Sequence, residues 1–216
     1  ITVLPLTILL LVIAFGSVSL HQRDMRALVG ERDERAVQSA AAALTSELHH
    51  LAASIDSIRA LTERSSDISV VSTTEDLASD FDGGLAYLDK DGQVLTSTGF
   101  PDFWDSIAQN KISLASPSDN ASVFSTPILD PASNQLFVIV SQFSTPGNVI
   151  VAGAFSPASL AEKTLSASFP SGEHVAIYLL DASGQLLYSN KNDAPQSLHP
   201  DHPGVTMVMQ QGEVNL

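Results

Sequence analysis

The first twenty residues of the chain contain no charged side chain. This run, ITVLPLTILLLVIAFGSVSL, has close to the length of about 20 residues that a helix needs to cross a bilayer. A buried core helix would normally show a polar face, and none is visible here. We predict a transmembrane helix at residues 1–20, in which Pro5 is tolerated near the end. A cleaved signal peptide is the alternative, because Ala14-Phe15-Gly16 resembles a small-x-small cleavage site.

The next segment, residues 21–64, has the pattern of a long helix. It holds six arginines, seven acids and no proline. Its apolar residues recur in alternating steps of four and three, a period of 3.5 that places them on one seam of a helix. The seam consists of Val37, Ala41, Leu44, Leu48, Leu51, Ile55 and Ile58. We predict a stalk helix here, and two interpretations stay open: a helix that packs on its own domain, or a stalk that forms a homodimer.

The chain after Arg64 is strongly acidic. It has four lysines and no arginine against seventeen acids, a net charge of −13 out of −14 for the whole chain. We therefore expect no nucleic-acid partner. A large acidic region after one span fits the outer side of a membrane, so we expect it to be extracytoplasmic. The chain contains no cysteine, which excludes disulfides, thiol catalysis and cysteine-ligated metal sites.

One hairpin pattern occurs twice in the acidic region. Residues 86–97 read AYLDKDGQVLTS and residues 178–189 read YLLDASGQLLYS, an offset of 92. In each copy an Asp caps a turn through its own side chain and a Gly supplies a positive φ, which predicts two strands joined by a tight turn. We interpret Asp89 and Asp181 as turn residues rather than catalytic ones.

The region between the two copies predicts more strands and short helices. Strand-like runs lie at Val123–Ile128, Leu136–Phe143 and Val149–Phe155, and helices at Phe103–Asn110 and after Ser156-Pro157. The predicted fold class is α+β. Residues 65–165 form a unit of five antiparallel strands with short helices, and residues 166–216 form the incomplete start of a second such unit.

The order of span, stalk helix, hairpin, strand meander and second hairpin resembles the double Cache sensor domains of bacterial transmembrane receptors. Four segments carry the resemblance: Phe81–Leu95, Ser125–Phe143, Val149–Leu160 and Ala176–Asn190. It implies PAS-like modules outside the membrane, as found on histidine kinases, chemoreceptors and diguanylate cyclases. It also implies a small-molecule ligand in the membrane-distal unit, between the sheet and a helix-and-loop layer, and a cytoplasmic output domain that this chain does not contain.

The resemblance also suggests which residues bind the ligand. The amino-acid-binding branch of the family uses an Arg-x-Trp-Tyr cluster, a Tyr-x-Asp and a further Asp. The matching positions here are Pro101-Asp102-Phe103-Trp104, which lacks the Arg, Ile128-Leu129-Asp130, which lacks the Tyr, and Ala154 in place of the last acid. An amino acid needs a cation for its carboxylate and acids for its ammonium. We therefore expect a ligand other than a standard amino acid, one that is weakly charged or cationic. The expected ligand-binding residues are Phe103, Trp104, Ile128, Asp130, Ala154 and Tyr87.

Each of these assignments has a plainer alternative. Trp104 is equally compatible with a core position, and Asp130 opens an Asp-Pro turn. His199 and His202 could bind a metal, but the prolines beside them favour a solvated loop. The motifs of zinc peptidases, serine hydrolases, P-loop proteins and dinucleotide-binding proteins do not occur. We expect no metal, no cofactor and no catalysis, and a sensory function. A membrane-tethered extracellular enzyme and a passive adhesive ectodomain are the alternatives.

Overall fold

The first helix, α1, extends from Val3 to Ser65, in agreement with the helix predicted at residues 21–64. The computed structural model describes residues 3–65, 78–110, 112, 114–115, 121–169, 176–181 and 183–191, and the α1 side chains at residues 25, 28 and 30–64. The side chains of the predicted span at residues 1–20 lie outside this part, so the span stays a prediction. Among the described residues, no helix combines the length and apolar character that a membrane crossing requires. The chain divides into two compact units, residues 1–43 and residues 44–216.

The second unit is built on an antiparallel sheet of six strands. Its strands are β1 (Gly84–Asp89), β2 (Val94–Ser97), β3 (Val123–Phe124), β4 (Ile128–Asp130), β5 (Gln135–Ser144) and β6 (Val149–Phe155). They pair in the order β2-β1-β6-β5-β3, and β4 also pairs with β5. Helix α2 (Pro101–Asn110) follows β2, and helix α3 (Pro157–Ser168) follows β6. The α+β prediction is therefore confirmed, with a long N-terminal helix ahead of a sheet that carries short helices.

The strand predicted at Val123–Ile128 is wrong in its extent, because the chain leaves the ladder between β3 and β4. Pro127 has no N–H to donate to β5. Ser125 instead makes two hydrogen bonds with Ile139 of β5. Its amide donates to the Ile139 carbonyl at 2.8 Å, and its hydroxyl accepts from the Ile139 amide at 2.9 Å. Two short strands result, so the sheet has six strands rather than the five predicted.

The repeated hairpin is confirmed in both copies. In the first, the Asp89 carboxylate accepts from the amides of Asp91 and Gln93 at 2.9 and 2.8 Å, and Gly92 has a φ of 80°. In the second, Asp181 accepts from the amides of Ser183 and Gln185 at 2.9 and 2.8 Å. The second copy forms a separate two-stranded sheet of β7 (Tyr178–Leu180) and β8 (Leu186–Ser189). Both Asp residues therefore serve as turn residues.

The central strands of the large sheet bury both of their faces. Successive side chains of a strand point to opposite sides, and the buried residues separate accordingly into two clusters. The α2 core contains Ala86, Leu88, Phe103, Trp104, Ile107, Ala115, Phe137, Ile139, Phe143, Ile150, Ala152 and Ala154. The α1 core contains Leu51, Ile55, Ile58, Phe81, Leu85, Tyr87, Val140, Val149, Val151 and Phe155.

The C-terminal part of the predicted seam on α1 packs on this sheet. Leu51, Ile55 and Ile58 are buried in the α1 core, and Leu48 packs against its edge. Polar contacts flank this apolar stripe, among them a bond of 2.6 Å between the hydroxyls of Thr62 and Tyr87. Residues 48–58 of the apolar seam therefore pack on the helix's own domain, which is the first of the two interpretations.

We predict that Leu51→Ala lowers the free energy of unfolding by about 2–5 kcal/mol, because it leaves a cavity under a buried side chain. Leu61→Ala is the matched control, since Leu61 lies on the same helix and is 40% exposed, against 2% for Leu51. We expect the control to cost less than about 1 kcal/mol. Urea unfolding measured by circular dichroism compares them, and equal losses would contradict the burial of α1 on the sheet.

Candidate functional site

Helix α2 covers one face of the sheet and brings the predicted aromatic residues to it. Phe103, Trp104 and Ile107 recur at the spacing of one helix face and are almost fully buried. Asp102 and Asp105 on the same helix are exposed. The helix begins two residues before the predicted Phe103, because Pro101 is tolerated in a first turn and the Trp104 amide donates to the Phe100 carbonyl at 3.3 Å.

Aromatic rings fill the space between α2 and the sheet. The ring centres of Phe103 and Trp104 lie 5.4 Å apart with the rings edge to face, and those of Phe103 and Phe137 lie 5.0 Å apart. Trp104 is 0% exposed, yet its indole Nε1 has no hydrogen-bond partner, alone among the buried side-chain nitrogens and oxygens that the structure describes. A buried donor without a partner costs about 1–3 kcal/mol, so the α2 core contains one donor that is not satisfied within the described part of the chain.

Ala154 and Ile128 belong to the same face of the sheet as the aromatic residues. Ala154 is fully buried in the α2 core, and Ile128 packs at its edge. The Cβ of Ala154 faces Gly83 so closely that a Cβ added to Gly83 would lie 2.7 Å from it and 2.9 Å from the ring of Phe137. The space above Ala154 is therefore occupied by backbone and by an aromatic ring.

Asp130 uses its carboxylate within its own turn. One carboxylate oxygen accepts from the Ser133 hydroxyl at 2.6 Å and from the Ser133 amide at 3.0 Å, and the other accepts from the Ala132 amide at 3.3 Å. The hydrogen bond from the Ser133 hydroxyl is the main reason that the pKa of Asp130 is lowered, and the two amides lower the pKa further against the effect of burial. This geometry agrees with the role of a turn residue.

Tyr87 lies on the opposite side of the sheet from the other predicted residues. Its ring is buried in the α1 core, and its hydroxyl is bonded to Thr62 of α1. Burial raises the pKa of Tyr87 more than the hydrogen bond with Thr62 lowers it. The structure thus brings together Phe103, Trp104, Ala154 and the edge residue Ile128, and it separates Tyr87 from them.

A cavity of about 520 Å³ opens beside the C-terminal half of α2. Its rim is formed by the β1–β2 turn, and its floor by α2, by the segment that follows α2 and by β6. The rim residues are Lys90, Asp91, Gly92 and Gln93, and the floor residues are Ile107, Ala108, Ile112, Leu114, Ala115 and Ile150.

The cavity lies at the other end of the sheet from Ala154. On β6, Ala154 pairs with Gly84 at the start of β1, whereas Ile150 pairs with Leu88 near its end. A separation of four positions corresponds to about 13 Å along a strand. Sequence reasoning did not identify the cavity residues. The available signal was the charged pair Lys90-Asp91 inside a turn whose second copy reads Ala182-Ser183.

The described residues offer no metal site. No group of three or more His, Asp or Glu side chains with the arrangement for a metal ion occurs among them. His199 and His202 lie outside the described residues, so the interpretation of that segment as a loop stays a prediction.

Solved structures similar to this chain were found, whereas comparisons of its sequence with known families and proteins found no match. No family model matches the chain, and no curated protein matches it. Two similar structures are those of the ligand-binding domain of the Pseudomonas fluorescens chemoreceptor CtaA, in complex with L-alanine and with L-serine. They are 20% and 18% identical to the chain, with a TM-score of 0.50 for each, and each match covers 78% of this chain and 70% of the other.

A third similar structure is the extracellular domain of a protein described as a histidine kinase, rpHK1S-Z16. It is 20% identical, its TM-score is 0.58, and the match covers 90% of this chain and 81% of that one. At this level of identity the likeness concerns the fold. The chain therefore shares its fold with this chemoreceptor ligand-binding domain and this histidine-kinase extracellular domain.

Proposed function

We propose that this chain is the extracytoplasmic small-molecule sensing module of a bacterial transmembrane receptor. The observation that carries the proposal is that the two faces of one sheet have different coverings. One face holds the α2 core and the cavity beside it, and the other face is covered by α1. A ligand on the first face and a signalling helix on the second would share the same strands. The similar structures support the proposal, since CtaA binds L-alanine and L-serine in a domain of this fold.

Strand β5 connects the two faces directly. Ile139, Ser141 and Phe143 point toward α2, while Gln142 and Ser144 bond to side chains of α1. The guanidinium of Arg59 donates to the Gln142 side chain at 3.1 Å, and the Ser144 hydroxyl donates to the Glu63 carboxylate at 3.0 Å.

Arg59 also ties these bonds into one network on α1, because it donates to the carboxylates of Asp56 and Glu63 at 2.7 and 2.6 Å. The hydrogen bond with Asp56 is the largest cause of the raised pKa of Arg59. A displacement of β5 by a ligand would therefore act on the last turns of α1. A ligand shifts such an equilibrium only by binding one arrangement better than the other.

The ligand is expected to differ from the amino acids bound by CtaA. Pro101 stands where the amino-acid-binding branch of the resembled family has its Arg, and Ala154 where it has its last Asp. Asp130 keeps the remaining acid, but its oxygens are engaged by Ser133 and Ala132. These positions offer no cationic side chain for the carboxylate of an amino acid and no free acid for its ammonium. Both are needed to bind a zwitterion.

The predicted placement of the receptor in the membrane completes the proposal. Residues 1–20 span the membrane, the acidic region lies outside the cytoplasm, and the signal passes through α1 to a cytoplasmic output such as a histidine kinase. The chain itself is not an enzyme in this proposal. Residues 166–216, with the β7–β8 hairpin, begin a second unit of the same kind.

The homodimer is proposed from the exposed apolar side chains of the first unit. Met25, Leu28 and Val37 of α1 are 50%, 60% and 57% exposed. Val37 belongs to the predicted apolar seam of α1 and is exposed within the first unit. A second copy of the helix is the partner that such a seam fits.

In a screen of small metabolites, we expect at least one compound to raise the thermal unfolding midpoint. A ligand that binds only the folded state stabilises it by about 2.7 kcal/mol at one hundred times its Kd. L-alanine and L-serine should leave the midpoint unchanged. Trp104→Phe should reduce the effect of the active compound, since Trp104 packs α2 against the sheet and the C-terminal half of α2 lines the cavity. Circular dichroism follows unfolding in both variants. A screen without any stabilising compound contradicts the sensory function, and an undiminished effect in Trp104→Phe contradicts the placement of the site beside α2.

The cysteine-free chain allows the homodimer to be tested by single-cysteine cross-linking in bacterial membranes. Val37→Cys should form a disulfide-linked dimer faster than Ser39→Cys, because residues two apart on a helix point about 200° apart. Ser39 is exposed as well, which makes it a matched control. Adding the active compound of the screen should change the rate at Val37→Cys. Equal rates at the two positions would refute a dimer through this seam.

A further inference from the structure

We propose that the cavity beside the C-terminal half of α2 is the ligand site of this chain, and that its ligand is a small aliphatic amine. The alkyl group would lie on the apolar floor, and the ammonium would lie at the rim near Asp91. The inference rests on the proposed sensory function and adds to it a position and a class of ligand.

The position expected from the resemblance is closed in this chain. The ring of Phe103 contacts those of Trp104 and Phe137, Gly83 lies against Ala154, and the Asp130 carboxylate faces its own turn. Interiors at this density have no room for a ligand unless side chains move. The cavity at Ile150 is open without such a movement, and its volume of about 520 Å³ lies in the usual range for small-molecule sites.

The floor of the cavity can bind only an apolar group. Its side chains are aliphatic, from Ile107, Ile112, Leu114, Ala115 and Ile150. The Ala115 amide already donates to the Ser141 hydroxyl at 2.9 Å. An aliphatic group placed here is stabilised by its removal from water, whereas a polar group would lose its hydrogen bonds with water.

The charges around the rim favour a cation. The carboxyl end of α2 lies at the cavity, where the unpaired carbonyls of a helix carry about half a negative charge, and the last turn has no basic residue. Asp91 lines the rim, and the Asp89 carboxylate lies near enough to contribute to the raised pKa of Lys90, after the larger contributions of the hydrogen bond and charge of Asp91. The region after Arg64 has a net charge of −13, which adds a field of the same sign.

Among the described residues that line the cavity, Lys90 is the one basic residue, and Asp91 already neutralises it. Its Nζ lies 2.9 and 3.0 Å from the two Asp91 oxygens, and both side chains are more than half exposed. Exposed ion pairs of this kind are weak, so an arriving ammonium can displace Lys90 from Asp91 at little cost. A carboxylate ligand would meet Asp91 and the carbonyls of α2 instead. The geometry therefore predicts that Lys90 competes with the ligand rather than binding it.

Two probes of nearly the same shape and opposite charge test this inference: 3-methylbutylamine and 3-methylbutanoate. Trp104, the only tryptophan of the chain, lies three residues before Ile107 on α2, so its fluorescence reports binding to the intact chain. We expect the amine to change the emission in a saturable way and the carboxylate to leave it unchanged.

Substitutions at the rim test whether the bound ligand carries a positive charge. Asp91→Asn should weaken binding of the amine by about threefold to fivefold, and Lys90→Gln should strengthen it by a similar factor. Lys163→Gln is the control, because Lys163 pairs with Glu47 at 2.8 Å on α1, and it should leave the affinity unchanged. All three side chains are exposed, so the variants should fold.

Several results would overturn the inference. Preferential binding of 3-methylbutanoate would show that the rim selects anions, and equal effects of Lys90→Gln and Lys163→Gln would show that the amine binds elsewhere. No binding of the amine at 10 mM (about a hundred times a typical Kd of 0.1 mM) would refute the class of ligand. None of these outcomes refutes the sensory function, which the metabolite screen decides on its own.

Discussion

The burial of Leu51, Ile55 and Ile58 against the sheet is the interaction on which the rest of the second unit depends. These side chains cover one face of β1, β5 and β6, so the same strands are free to receive α2 on the other face. Without α1, the alternating residues Leu85, Val140 and Val151 would face water. A sheet that is covered on both sides also has little freedom to bend.

Close packing explains both the stability of this sheet and the position of its cavity. Gly153 allows the ring of Phe81 to lie directly on β6, where an added Cβ would be 2.5 Å from that ring. Gly83 does the same for Ala154 and Phe137 on the other face. Because the centre of the sheet is filled in this way, open space remains where α2 ends and the β1–β2 turn begins. A ligand site in this chain is therefore expected at that end.

Polar groups in the interior are few, and most of them have a structural partner. Asp130 holds a turn, Ser141 accepts from the Ala115 amide after α2, and Thr62 bonds to Tyr87. The indole N–H of Trp104 is the exception among the described residues. A site built from these residues lacks the charged side chains that an amino acid requires.

The sequence by itself determined the long helix, the two Asp-turn hairpins, the helix start at Ser156-Pro157 and the α+β class, because each follows from local periodicity, capping or turn chemistry. Only the tertiary structure decided three further points. Ser125 divides one predicted strand through its bonds with Ile139, Tyr87 faces α1 rather than α2, and the open cavity lies at Ile150 rather than at Ala154. These points depend on which residues meet across the sheet and on how much space their side chains leave, and neither is contained in local spacing.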